Sequence, residues 1–155
     1  MAISLTSPLT GASQSDLTTP TYTLAADTPP NARSKQWAVT ALGGTQSGVD
    51  VHSVSSPFTI TVERPATFKQ LGQPNPVTGR IANVGKNVFV VRTRKGVSPL
   101  SGQPDQIMLV ETKISMIAGS DSADPNSVQA CLSAHIGALS DQDAEIGDLA
   151  IDGVL

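Results

Sequence analysis

Acid–base or nucleophilic chemistry needs a base within hydrogen-bond reach of a nucleophile, and this chain offers few bases. Its two histidines are His52, in the polar stretch VDVHSV, and His135, among the apolar residues of a helical segment. Neither has a partner motif, so both read as structural. Cys131 is the single cysteine, which excludes an internal disulfide and a cysteine-cluster zinc site. Asp141, Asp143 and Glu145 form a carboxylate group, but acids at the start of a helix are accounted for by the helix dipole. Phosphate loops, dinucleotide fingerprints and calcium loops are absent. The sequence therefore reads as that of a protein without catalytic residues, cofactor or metal.

Positive charge is the chemistry that remains. The stretch NVFVVRTRKG, residues 87–96, sets Arg92, Arg94 and Lys95 at the end of a run that is otherwise apolar. Side chains alternate across a strand, so if Phe89, Val91 and Thr93 point to the core with Asn87, then Lys86, Val88, Val90, Arg92 and Arg94 share the other face. The same alternation puts Ile107, Leu109, Glu111 and Lys113 of a later strand opposite Met108 and Val110. Thr59, Thr61 and Glu63 join from a third strand. Guanidinium, ammonium and hydroxyl groups on one face are donors suited to phosphates and unpaired bases. The plainer alternative is a solvated sheet face with ordinary surface charge, and Glu63 and Glu111 count towards it.

Charge is divided along the chain. All ten lysines and arginines lie between Arg33 and Lys113, giving residues 1–118 ten bases against six acids, a net +4. Residues 119–155 carry seven acids and no base, a net −7. Such asymmetry points to a polyanion on one side.

With 155 residues, 39% of them hydrophobic, the chain suits one domain. Only Tyr22, Trp37, Phe58, Phe68 and Phe89 are aromatic, so the core is expected to be thin and built from Val, Ile, Leu and Ala. Charged residues make up 15%, below the roughly 25% usual for soluble domains, which suggests that part of the surface is covered. No apolar run approaches the ~18 residues that span a bilayer. The N-terminus, MAISLTSPLTGAS, lacks the basic start and continuous apolar stretch of a secretion signal, so the chain is expected to be made and kept in a cytosol.

The elements that must position these groups run from strands to helices. ISLT and TYTL, separated by turn-rich SPLTGASQSD, predict a small hairpin within residues 1–34. KQWAVTAL predicts a strand ended by Gly43 and Gly44, and PFTITVER alternates until Pro65 stops it. The connection from 66 to 85 is rich in Pro and Gly and predicts a loop. NVFVVRTRK and QIMLVETKISMIA are two further strands, joined by a protruding loop. After Gly119, Asp124 and Pro125 mark a helix start, and Val128, Cys131, Leu132, His135, Ile136 and Leu139 follow at helical spacing. A shorter helix begins at Asp141. The result is an α+β chain: hairpin over 1–34, antiparallel sheet over 35–118, helical segment over 119–155. Two short helices cannot cover such a sheet face, so a second subunit is expected to supply the rest.

FTITVERP, KNVFVVRTRKGV and the C-terminal third ETKISMIAGSDSADPNSVQACLSAHIGALSDQDAEIGDLAIDGVL together resemble the coat proteins of the single-stranded RNA bacteriophages. The resemblance covers about residues 35–155 and is most specific in the last strand and the helix SADPNSVQACLSAHIGAL. It implies an N-terminal hairpin, a five-stranded antiparallel sheet, two C-terminal helices and an intertwined homodimer, with dimers closing into an icosahedral shell. By position it assigns RNA contact to the sheet residues above, with Thr59, Thr61, Lys86, Arg92, Arg94 and Lys113 as the polar and cationic candidates. The apolar and acidic members depart from the family's more polar pattern, which favours general RNA packaging over recognition of one RNA hairpin. The loop matching the family's contact around symmetry axes is Gly96, Val97, Ser98, Pro99, Leu100, Ser101, Gly102, Gln103, Pro104 and Asp105. It has no cysteine with which to crosslink. The apolar helix stripe from Val128 to Leu139 falls at the dimer interface.

The implied partners are copies of the chain itself and single-stranded viral RNA, with no membrane and no small-molecule substrate; the implied location is the virion, assembled in the bacterial host's cytoplasm. The rival class is a dimeric binding or adhesin-like module without nucleic acid, which the Ser/Thr/Pro-rich N-terminus permits. An enzyme ranks third.

Overall fold

Among the described residues, six antiparallel strands succeed one another in chain order across one sheet, and three helices follow. The computed structural model describes residues 2–154, so positions 1 and 155 of the expected single domain lie outside the described residues. The strands are β1 (Leu9–Thr10), β2 (Leu17–Asp27), β3 (Ser34–Gln46), β4 (Phe58–Glu63), β5 (Lys86–Val97) and β6 (Gln106–Ile117).

Two of these strands come from the first 34 residues. Instead of forming a separate hairpin, β2 pairs along β3 from Leu17↔Gln46 to Asp27↔Gln36, and the two-residue β1 adds to its outer side. TYTLAAD is rich enough in strand formers to extend the sheet rather than fold back alone.

β3 also runs through Gly43 and Gly44, where an end was expected. Gly44 has φ 75°, and a Cβ on it would strike the Thr18 and Thr19 carbonyls at the point where the β2–β3 register shifts. The glycines thus serve a bulge, which re-aims a strand without ending it.

β4 stops before Pro65 as its sequence requires, and residues 66–85 form no regular element. That connection is nonetheless tied down. The Asn87 side chain, 4% exposed, accepts from Lys69 N at 2.8 Å and donates to Lys69 O at 3.0 Å. The Phe68 ring lies 5.9 Å from that of Phe89.

Gly119, with φ 87°, turns the chain from β6 into α1 (Ser120–Ala123), a single turn that the sequence did not announce. Asp124 then caps α2 (Pro125–Asp141), accepting from Ser127 N at 3.2 Å with Pro125 in the first turn. α3 (Asp143–Asp152) follows after Gln142. The helices lean on one another and, through α1, on the end of β6. At its far end α3 meets the β1–β2 turn: Gln14 Nε2 donates to Asp143 O at 2.6 Å and Ser15 Oγ to Asp148 Oδ1 at 2.7 Å. The helical segment therefore begins at one edge of the sheet and ends near the other.

What the fold lacks is an interior. Among the described residues the buried hydrophobics are Ala38, Val39 and Ala118, and no helix residue is buried. The chain exposes 10785 Å² of surface. A compact monomer of 16.0 kDa exposes about 7,400 Å². The excess of roughly 3,400 Å² is the scale of an obligate interface, not of surface roughness.

Candidate nucleic-acid interface

Residues paired directly across an antiparallel sheet point to the same side, so register decides which groups share a face. Thr59 pairs with Arg94 and Arg94 with Leu109; Thr61 pairs with Arg92 and Arg92 with Glu111; Glu63 pairs with Val90 and Val90 with Lys113. Lys86 and Val88 extend this face along β5, and Ile107 extends it along β6 opposite Gly96. β3 contributes Ser34, Gln36 and Ala38, opposite Glu63, Thr61 and Thr59. All twelve sheet positions singled out in the sequence thus lie on one side.

The charges on that face are not independent. Arg33 Nη2 lies 2.7 Å from Glu63 Oε1, and Arg92 Nη1 lies 3.9 Å from Glu63 Oε2. Arg92 Nη2 reaches Glu111 Oε1 at 2.6 Å, and Lys113 Nζ reaches Glu111 Oε2 at 3.1 Å. Cations and acids alternate from the start of β3 to β6, leaving one net positive charge for five side chains. Hydrogen bonds from Arg92, then from Lys113, hold the Glu111 carboxyl below its usual range.

Thr59 and Thr61 occupy the right face but are only 2% exposed, being set in β4 between the side chains of β3 and β5. Thr61 donates to Gln36 Oε1 at 2.9 Å, while Thr59 Oγ1 is buried without a partner. Arg94 and Lys86 enter none of the ion pairs among the described residues. Lys95 faces the other way, its Nζ 5.3 Å from the centre of the Phe58 ring.

Three cations that sequence patterning did not select stand beside this face. Arg33, Arg64 and Lys69 join Lys86 and Arg92 around a cleft of about 350 Å³ floored by Val88, Val90 and Pro65. Alternation along strands could not find them, because Arg33, Arg64 and Lys69 lie just outside β3 and β4.

The loop expected at the symmetry contacts begins later than its sequence range: Gly96 and Val97 still belong to β5. Residues 98–105 project, with Leu100 67% exposed, and Ser98 Oγ donates to Asp105 Oδ1 at 2.5 Å. That bond, with a second from Ser56, holds the Asp105 carboxyl below its usual range. On α2, Val128 and Leu132 are half-buried, while Cys131, His135, Ile136 and Leu139 are exposed.

Among solved structures, the chain is similar to that of a virus-like particle of bacteriophage ESE020, with 55% identity over 99% of this chain and 100% of that one, at a TM-score of 0.96. The chain belongs to the coat proteins of the RNA bacteriophages. A virus-like particle of Beihai levi-like virus 32 is a more distant neighbour, 15% identical over 86% of this chain and 88% of the other at a TM-score of 0.46. No protein-family model matches the chain, and no curated protein does.

An RNA-phage coat protein is a structural capsid component and not an enzyme. The features left exposed include the projecting 98–105 loop, the free edge of β6 and one side of α2.

Proposed function

We propose that two copies of this coat protein pair through their β6 edges into one continuous sheet, with the exposed apolar side of each α2 packed against the other copy. Such dimers close into an icosahedral shell that holds single-stranded RNA against the face carrying Lys86, Arg92, Arg94 and Lys113. The observation that carries the pairing is the missing interior: about 3,400 Å² too much surface for a self-sufficient monomer. β6 supports the location. It is a twelve-residue edge strand, and Ile107, Met108, Leu109 and Val110 are 45–55% exposed on its two sides. An apolar edge of that length templates pairing with another chain.

The α2 stripe Val128, Cys131, Leu132, His135, Ile136 and Leu139 then meets the partner's sheet on the side opposite the RNA face. The loop from Gly96 to Asp105 makes the contacts between dimers. Assembly takes place in the cytoplasm of the bacterial host, and the product is the virion shell.

For RNA, the support is electrostatic. Among the described residues Arg94 and Lys86 have no acidic partner, and the ion row from Arg33 to Lys113 retains a net positive charge. The Thr59 hydroxyl is buried without a partner among the described residues, so Thr59 meets RNA only where its β3 and β5 neighbours move aside. Thr61, already bonded to Gln36, orients that neighbour.

Expression of the protein alone, followed by light scattering, electron microscopy and an absorbance measurement of nucleic acid, tests the reading. Closed shells of uniform size containing RNA are expected; stable monomers at high concentration would refute it. Changing Arg92 and Arg94 together to Ala is expected to lower the RNA content of purified particles, and an unchanged content removes the sheet face from the assignment.

A further inference from the structure

Five of the chain's ten lysines and arginines surround one opening. Arg33, Arg64, Lys69, Lys86 and Arg92 line the cleft of about 350 Å³ between residues 64–69 and the start of β5, and among the described residues Glu63 is the only acid in its wall. Glu63 is occupied: its Oε1 is gripped by Arg33 at 2.7 Å, and Oε2 stands nearer Arg92 than any other cation recorded for it. Arg64, Lys69 and Lys86 are left without an ion partner among the described residues. These three cations are exposed at one opening and raise the local positive potential, which draws an anion.

The main chain behind these cations is fixed. Arg64 N donates to Arg33 O at 3.1 Å, which joins the two arginine-bearing segments. The buried Asn87 amide holds both backbone groups of Lys69. The Lys69 stem then crosses Gly85 so closely that a Cβ there would lie 2.9 Å from Lys69 Cδ. A loop free to move would not need a buried amide clamp and a glycine to direct one lysine.

We propose that this cleft is a phosphate-binding site that takes a nucleotide of the enclosed RNA. Arg64, Lys69 and Lys86 receive the phosphate, and the apolar floor of Val88, Val90 and Pro65 lies under the sugar or base. The proposal rests on the reading that the adjoining sheet face lies against RNA, and adds Arg64 and Lys69, from outside the sheet, to its contacts.

Full-length protein freed of RNA, titrated with a short single-stranded RNA at several salt concentrations, provides the test. Each cation that neutralises a phosphate contributes about 0.7 to the slope of log affinity against log salt. The double variant Arg64→Gln/Lys69→Gln is expected to lower the slope by about 1.4, so that between about 50 and 200 mM salt the wild type loses about sevenfold more affinity than the variant. An unchanged slope in that variant, with a reduced one in Arg94→Ala, overturns the cleft and spares the sheet-face reading. Unchanged slopes in both overturn the two together.

A measurement on the unaltered protein guards against misfolded variants. Amine-reactive labelling of intact shells is expected to modify Lys69 several-fold less in RNA-filled particles than in emptied ones, and equal labelling overturns the site. If inorganic phosphate protects Lys69 of emptied shells while the Arg64→Gln/Lys69→Gln slope stays at the wild-type value, the ligand is free phosphate and the assignment to RNA falls.

Discussion

Arg92 holds Glu111 Oε1 with both Nε and Nη2, each at 2.6 Å. The guanidinium that sequence patterning offers to RNA is thus already engaged with an acid from the neighbouring strand. A phosphate arriving at this face must share or displace that acid. Glu111→Gln is expected to free one cation and steepen the salt dependence of RNA binding by roughly 0.7 in log–log slope. Titration of wild type and variant with the same short RNA checks it, and a shallower slope would contradict the competition.

The same pair makes a pH prediction. Glu111 has its folded pKa depressed, so the unfolded chain binds the proton more readily and acidification favours unfolding. The stabilisation from Glu111 is fully present above the unfolded glutamate value of about 4.3 and is lost as the pH falls through its lower folded value. Wild type and Glu111→Gln should therefore differ in thermal stability at pH 7 and 5, and converge well below pH 4. A gap that persists at the lowest pH would assign it to some other cause.

Val110 sits on the open β6 edge, paired only with Thr93 and 55% exposed. A charge there costs little in a lone chain but is buried against the partner under the proposed pairing. Val110→Asp is expected to abolish particles and leave small species in light scattering. Normal shells from this variant would move the interface elsewhere.

Gly119 joins β6 to the helices at φ 87°, with Leu71 atoms 3.3 Å from where a Cβ would sit. Gly119→Ala is expected to cost about 1–2 kcal/mol from the left-handed backbone alone. Denaturant titration, compared with Gly137→Ala, where no side chain beyond the chain neighbours lies within 4 Å of the added carbon, reads the combined cost of the left-handed backbone and the Leu71 contact. Equal stability of both variants would contradict it.

Asn87→Ala removes the two bonds to Lys69 and leaves a backbone donor and acceptor unpaired, a loss of about 1–3 kcal/mol. Hydrogen exchange at residues 67–71 should accelerate before that of β5. Uniform acceleration across the sheet would show that the connection is not separately latched.

Local signals carried far in this chain. The alternation in FTITVE and the cap formed by Asp124 and Pro125 are complete within a few residues, and both appear where their chemistry demands. The face shared by Arg92, Arg94 and Lys113 follows from alternation once register is right. Signals that depend on a distant partner were hidden. Gly43 and Gly44 look like a strand end until β2 is placed beside them with its bulge. Arg33 and Lys69 looked like loop charges, because only Glu63, Asn87 and Gly85 reveal where they are held. The burial of Thr59 and Thr61 depends on long neighbours on two other strands, which strand periodicity within β4 does not record.

With so little kept dry by one chain, the proposed pairing makes its survival depend on how often it meets a copy. The interior reduced to Ala38, Val39 and Ala118 works, on the proposed pairing, as a meter of abundance. Scarce chains linger open to proteases and chaperones, while abundant ones find each other and become durable, so the melting temperature should climb with dilution reversed. Container formation is then tied to the amount of protein made, by mass action alone, without a dedicated timer.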